Sequence, residues 1–322
     1  MADRLKVSVS IPNFKRPDLL RKAVLSQFGQ DLDKNDYEVI VVDSTPDDSV
    51  VAMLAEIAPH AECSFRWFTK KPEGPALSRH MGAQNARGDV LAFFDSDCQA
   101  SPGWLRAGLE AFSGGVGLVQ GHTERDPEGR PGIFTHFIIV RNESFHYESC
   151  NVFYLREAYE QAGGFRGVDG TPTAPTPTGG EDIDLAWRVR RLGWKTVFAT
   201  GALVIHAVLP LPKVRWLYDK RKQPFPGLIK QFPELRRFMY ARYFYDRAQA
   251  FFCLLLLGVG LAFVHLIFLL LCLPYVIYRS SEPSATLKGP LRVLRAAIYL
   301  PRDAVLFGLL LKTSVQARCL LL

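Results

Sequence analysis

Residues 90–97 read Val-Leu-Ala-Phe-Phe-Asp-Ser-Asp, five apolar side chains running straight into two carboxylates set two apart. A short, uninterrupted apolar run marks a strand buried on both faces, as in a parallel sheet covered by helices. Asp95 and Asp97 then sit at the strand's carboxyl end, where open α/β sheets place their ligand crevice. Two acidic side chains there repel each other unless a proton or a cation intervenes. A hard divalent cation, Mg2+ or Mn2+, suits carboxylate oxygens and commonly also holds substrate phosphates. Two solvated aspartates in a turn would look the same locally, so the rest of the chain has to decide.

Residues 6–11 (KVSVSI) alternate and stop at Pro12-Asn13, a first strand ending in a turn. Leu19, Leu20, Ala23 and Val24 predict a helix over 16–27. Residues 37–42 form the next apolar strand, ending at Asp43-Ser44. A short helix over 50–57, a strand over 65–68 and a helix over 76–86 lead into the 90–94 strand. Strands alternating with helices imply parallel βαβ units of the doubly wound class. Asp43 therefore projects into the same crevice as Asp95 and Asp97, where an aspartate commonly hydrogen-bonds a nucleotide ribose or base edge. No G-x-G-x-x-G follows the first strand and no Gly-Lys-Ser/Thr loop occurs, which excludes dinucleotide and P-loop sites. Phosphates would have to be neutralised by the metal and by basic side chains such as Arg79.

Further on, a helix is expected over 102–112 and strands over 117–122, 134–140 and 150–155. Residues 165–180, rich in Pro, Thr and Gly, predict a loop, either a lid or a plain surface insertion. A helix follows with Glu181 and Asp182 in its first turn, where the helix dipole favours negative charge. Strands over 196–199 and 202–205 then bring the chain to His206, a residue type that serves equally as a core side chain or a metal ligand.

The net charge of +7 is concentrated, with ten Lys/Arg between 213 and 247 against three acidic residues. Next to it, residues 248–278 are apolar and carry no formal charge, long enough for a bilayer that needs about 20 apolar residues. The basic block beside this run points to lipid headgroups rather than nucleic acid. A single tilted span and a hairpin turning near Gly258 and Gly260 both fit. Basic flanks on either side favour the hairpin, and the tail, 291–322, fits interfacial amphipathic helices. The N-terminus carries no apolar leader, so the body is expected in the cytosol, anchored at the cell membrane. The six cysteines show no metal-ligand spacing and are expected to be reduced, structural thiols.

The strand ending in Asp43, then GPALSRHMGAQNARGDVLAFFDSDC, then GGEDIDLAWRVRRLGW, then His206 together resemble the family 2 glycosyltransferases over about residues 5 to 210. The resemblance implies a GT-A fold, α/β and Rossmann-like, with a mostly parallel sheet flanked by helices, followed by a membrane-associated helical region. The implied divisions are a catalytic domain over 1–210, a basic juxtamembrane segment over 211–247, the apolar segment 248–278 and the tail 279–322. It implies an inverting transfer from a nucleotide-sugar donor, UDP being the expected nucleotide, to a lipid-linked or glycan acceptor. Pro12, Asn13, Asp43, Arg79 and Asp95 would bind the donor. Asp95, Asp97 and His206 would hold Mn2+ or Mg2+, and Glu181 and Asp182 would be catalytic, Asp182 as general base. A polyprenyl-phosphate sugar synthase and a non-catalytic, membrane-anchored nucleotide-sugar-binding scaffold are the alternatives.

Overall fold

Residues 90–94 do form a strand with both faces covered, and its neighbours in the sheet show why. The computed structural model describes residues 5–45, 47–166, 179–281 and 289–322. These described residues fall into two compact units, one within 5–129, 137–166 and 181–208, the other within 130–136, 179–180 and 209–322.

The first unit runs β1 (Val7–Asn13), α1 (Pro17–Phe28), β2 (Tyr37–Asp43), α2 (Ser49–Ile57), β3 (Ser64–Thr69), α3 (Pro75–Asn85), β4 (Val90–Phe94), β5 (Cys98–Ala100), α4 (Trp104–Glu110) and β6 (Val116–Arg125). The two-residue strand β7 (Thr135–His136) belongs to the second unit; β8 (Asn151–Leu155), α5 (Arg156–Gln161), α6 (Glu181–Arg191) and β9 (Lys195–His206) complete the first. Eight strands form one sheet in the order β3-β2-β1-β4-β8-β6-β9-β5. The pairs β2–β3, β1–β2, β1–β4 and β6–β9 are parallel; β4–β8, β6–β8 and β5–β9 are antiparallel.

Along β4, Val90, Ala92 and Phe94 enter one core with Val9, Ile11, Leu20 and Trp104, while Leu91 and Phe93 enter another with Tyr154, Phe165 and Leu185. The alternation of β1 has a different cause from a solvated face, because Ser8 and Ser10 are buried. Their small side chains let α3 lie close on the sheet: a Cβ at Gly82 would come 2.1 Å from Ser10 Oγ. That approach sets Arg79, one turn earlier on α3, level with the end of β4.

The strands expected over 196–199 and 202–205 are one strand, β9, interrupted by a bulge. Gly121 pairs with Ala199, but His122 pairs with Leu203, so residues 200–202 are passed over. Asn151 satisfies the disrupted ladder, its Nδ2 donating to His122 O at 2.8 Å and Ala202 O at 2.9 Å while Oδ1 accepts from Trp104 Nε1 at 2.8 Å. The strand expected over 134–140 is only β7, and the proposed lid falls mostly on 167–178, outside the described residues.

In the second unit β10 (Leu209–Pro210) pairs antiparallel with β7. The basic stretch 211–247 is not an extended linker. It folds through α7 (Lys213–Leu217) and α8 (Phe225–Gln231), burying Trp216, Phe225, Ile229, Phe232 and Leu235. Several of its cations lie over aromatic rings, Lys222 Nζ 4.2 Å from the Tyr245 centroid among them.

Among the described residues no helix is long and apolar enough to cross a membrane, so the single tilted span is not seen. The apolar run divides into α9 (Arg247–Leu261), a 3-10 helix over Leu266–Cys272 and α10 (Leu273–Ser281), and the chain reverses between them. Phe251 meets Tyr278 and Phe252 meets Tyr275, at centroid distances of 5.6 and 6.0 Å. The reversal falls at 262–265, past the glycines. Gly258 serves contact instead, since a Cβ there would come 2.8 Å from Phe268 O. His265 caps the 3-10 helix, its Nδ1 accepting from Ile267 N at 3.1 Å. Phe263, Val264 and Leu266 at the reversal are 93%, 79% and 73% exposed. The tail is one helix, α11 (Leu294–Ala317), whose buried Asp303 is held by Arg279 at 2.5 Å and Tyr275 Oη at 2.8 Å.

Candidate active site

The parallel strands β1 and β2 end in register, which places Asn13 beside Asp43. Asn13 Nδ2 donates to Asp43 Oδ1 at 2.9 Å, and Thr45 Oγ1 donates to the same oxygen at 2.7 Å. Asn13 Oδ1 and Asp43 Oδ2 are buried with no hydrogen-bond partner among the described residues. Buried acceptors are nearly always paired, so this edge suits a ligand that brings N–H or O–H donors. Pro12 is buried within β1.

At the end of β4 the two aspartates face different partners. Asp95 Oδ1 accepts from Arg79 Nη2 at 2.6 Å, and Arg79 Nη1 reaches Glu181 Oε1 at 3.2 Å. Burial opposes the guanidinium charge, but the Asp95 and Glu181 carboxylates outweigh it and hold the Arg79 pKa above its ordinary value. One buried arginine thus ties the mouth of β4 to the first turn of α6.

Asp97 looks the other way. Its Oδ2 accepts from Arg16 Nη1 at 2.5 Å, and its Oδ1 lies 3.6 Å from His206 Nε2. His206 Nδ1 is 2.8 Å from Ala207 O. A carbonyl can only accept, so Nδ1 carries the proton and Nε2 is the nitrogen presented to Asp97, the orientation seen in metal-ligating histidines. The carboxylate and oriented imidazole fit a divalent ion such as Mn2+. Cys98, opposite His206 in the β5–β9 ladder, lies in the same cluster.

Asp182 begins α6, and its Oδ1 accepts from Ile183 N at 3.1 Å. Burial, then the Glu181 charge, raise its pKa to about 8, against a smaller lowering by Arg79; Glu148 adds to the rise. Burial also raises the Glu148 pKa, although Ser144 and Gln120 donate to its carboxylate at 3.1 and 2.8 Å. Three carboxyl groups therefore share a poorly solvated neighbourhood next to one arginine. A proton acceptor of raised basicity results.

The structure thus brings Arg79, Asp95 and Glu181 into one ion-pair network and Asp97 and His206 into another, with Asp43 and Asn13 on the same edge of the sheet. Arg79, expected to approach the donor, is buried and paired with the carboxylates of Asp95 and Glu181. Sequence reasoning missed Arg16, Thr45 and Glu148. Arg16 could have been suspected as a cation just past the first strand; nothing marked Glu148. Cys98 is a free, buried thiol that also lies beside Asp97 and His206, a proximity set by strand pairing that spacing along the chain cannot reveal.

The match to a family model, Glycosyl transferase family 2, covers residues 8–169. The glycosyltransferase AglE of Haloferax volcanii is 26% identical over 216 residues, 63% of this chain and 67% of the relative. A Campylobacter jejuni relative, GalNAc(5)-diNAcBac-PP-undecaprenol beta-1,3-glucosyltransferase, is 28% identical over 126 residues, 38% of this chain and 40% of its own. Among solved structures, the mannosyltransferase PcManGT from Pyrobaculum calidifontis, in complex with GDP-Man and Mn2+, aligns over 98% of this chain and 87% of its own with a TM-score of 0.57 at 16% identity. S. aureus TarS 1-349, in complex with UDP-GlcNAc, aligns over 70% and 65% with a TM-score of 0.53 at 16% identity. These neighbours share the GT-A-like fold, and with the family match over half of its length the chain belongs to glycosyl transferase family 2.

Proposed function

We propose that the chain transfers a glycosyl group, with inversion, from a nucleoside-diphosphate sugar to a hydroxyl of a lipid-linked or glycan acceptor at the cell membrane, assisted by Mn2+ or Mg2+. The observation that supports the reading best is the buried Arg79, which joins Asp95, two residues before Asp97, to Glu181, the residue before Asp182. Asn13 and Asp43 supply unpaired acceptors for a base or ribose edge, and UDP is the first nucleotide to test. Asp97 and His206 would hold the ion, whose role is to offset negative charge growing on the departing diphosphate. Arg16 donates to Asp97 Oδ2 and keeps Oδ1 turned toward His206. In a single in-line displacement the acceptor oxygen bonds to the anomeric carbon as the bond to the diphosphate oxygen breaks. Asp182 takes the hydroxyl proton, and its raised pKa strengthens it as a base while requiring its ionised form.

A lipid-phosphate acceptor would arrive ionised and would need no such base, so the hydroxyl reading is preferred over a polyprenyl-phosphate synthase. The intact acidic set likewise gives the scaffold reading no support. The exposed apolar reversal at Phe263–Leu266 suits insertion into one leaflet, and the Campylobacter relative is named for a polyprenol-linked substrate. Donor hydrolysis by detergent-purified protein, screened over UDP-, GDP- and dTDP-sugars with Mn2+ or EDTA, tests the proposal. Release of one nucleotide that needs the ion and is lost in Asp97→Ala is expected. If calorimetry detected no metal-dependent binding of any nucleotide, the proposal would fall.

A further inference from the structure

Antiparallel pairing of β5 with β9 sets Cys98 directly opposite His206. Partners in such a pair project to the same face with Cβ atoms about 4.5–5.5 Å apart. Cys98 Sγ lies 3.9 Å from Asp97 Oδ1, and one ligand atom from each of Asp97, Cys98 and His206 falls within 4.8 Å of the others. Ligands bonded at about 2.0–2.3 Å to one ion at tetrahedral angles lie about 3.3–3.8 Å apart. The Asp97–His206 and Asp97–Cys98 pairs, at 3.6 and 3.9 Å, are already near this, so a closure of at most about 1 Å between Cys98 and His206 would complete the set. Cys98 and His206 are each 1% exposed. Ala207 O fixes the imidazole and Arg16 occupies the far oxygen of Asp97.

We infer that Cys98 is a third protein ligand at this centre, giving an oxygen, sulfur and nitrogen set that takes thiophilic divalent ions, zinc, cobalt or cadmium, in preference to Mg2+. The inference rests on the reading of Asp97 and His206 as metal ligands and adds the sulfur. Thiolate is a soft ligand that favours such ions, whereas Mg2+ takes oxygen. On binding, the Cys98 S–H bond gives its proton to solvent, a sulfur–metal bond forms and one water leaves the ion. A further protein ligand leaves fewer positions for diphosphate oxygens. Zinc is therefore an inhibitor of the Mn2+- or Mg2+-supported reaction.

The test is titration of the metal-free full chain with Co2+, following the near-ultraviolet thiolate-to-cobalt absorption band and the protons released. The expected result is one such band at one ion per chain, absent in Cys98→Ser and kept in Cys150→Ser, the thiol that hydrogen-bonds Cys98. Cys98→Ser should bind Co2+ about tenfold more weakly or worse, since losing even an outer partner of a ligand costs that much. Co2+ binding that needs Asp97 and His206 but shows no thiolate band overturns the sulfur ligand and leaves the proposed function standing. No Co2+ binding at all overturns both. Should Cys98→Ser not fold, alkylation of the wild-type chain in dilute urea, located by mass spectrometry, decides: Co2+ must shield Cys98, and equal labelling with and without the ion refutes the inference.

Discussion

Replacing Arg79 by Met tests the central ion-pair network. The guanidinium is 5% exposed and serves two carboxylates, Asp95 at 2.6 Å and Glu181 at 3.2 Å. The Glu181 side chain is 6% exposed and would keep a charge with no counter-ion, whereas Asp95, at 24%, recovers part of its hydration. Breaking a buried pair from one side costs about 3–5 kcal/mol, a large share of a total of about 5–15 kcal/mol. Most of that cost is assigned to Glu181. The double variant Arg79→Met/Glu181→Met should therefore recover much of the loss, because apolar replacement of both partners is often neutral. Urea unfolding followed by tryptophan fluorescence reads both, Trp216 reporting on the second unit and the other four tryptophans on the first. Only the first unit's transition should move. Arg79 also lowers the Asp182 pKa, so the alkaline rise of activity should shift further up in any variant without it. A single-variant cost below about 1 kcal/mol, or a double variant no more stable than the single, would refute the buried network.

Three more outcomes follow from the same geometry. Between the unfolded Asp182 value of 3.8 and its folded value of about 8, the native chain keeps a proton that the unfolded chain has lost, so this group's stability contribution is full below the lower value and lost as pH rises through the upper. Asp182→Asn should flatten that fall in urea titrations across the window and abolish transfer while donor binding persists; an unchanged slope would argue that Asp182 titrates normally. Gly88→Ala should cost about 1–3 kcal/mol by thermal unfolding, because the new Cβ would meet Ser8 N and Val7 C at 2.6 Å, both backbone. Phe263→Asp should release the chain from liposomes without lowering its melting temperature, since that side chain is 93% exposed; retained binding would remove the hairpin from the membrane reading.

Local pattern carried the parallel half of the sheet, because β2 and β4 are apolar runs that stop at an aspartate and β1 is a β-rich alternation that stops at Pro12-Asn13. Asp43, Asp95, Asp97 and Asp182 were legible for the same reason, each standing where an element begins or ends. What escaped depends on distant pairing. Arg16 and Asp97 are 81 residues apart, and Cys98 meets His206 only through the antiparallel edge. The apolar run 248–278 left a single span and a hairpin both open, because hydropathy measures length of greasy chain and does not show where the chain doubles back. In the basic block, likewise, counting charge does not show that Trp216 and Phe225 are buried.

The bulge in β9 has a consequence for the site it never touches. Successive strand residues face opposite sides of a sheet, so passing over an odd number of residues inverts the phase of everything after it. Had β9 kept its first register, Leu203 rather than His206 would stand opposite Arg125, and the imidazole would overshoot the end of the ladder. Asn151 and Trp104, which hold the bulge closed, are thus counters of chain length as much as core residues. The identity of the side chain that stands beside Asp97 is decided by backbone arithmetic inside the sheet, and a one-residue insertion or deletion at 200–202 would change it without altering any residue of the site.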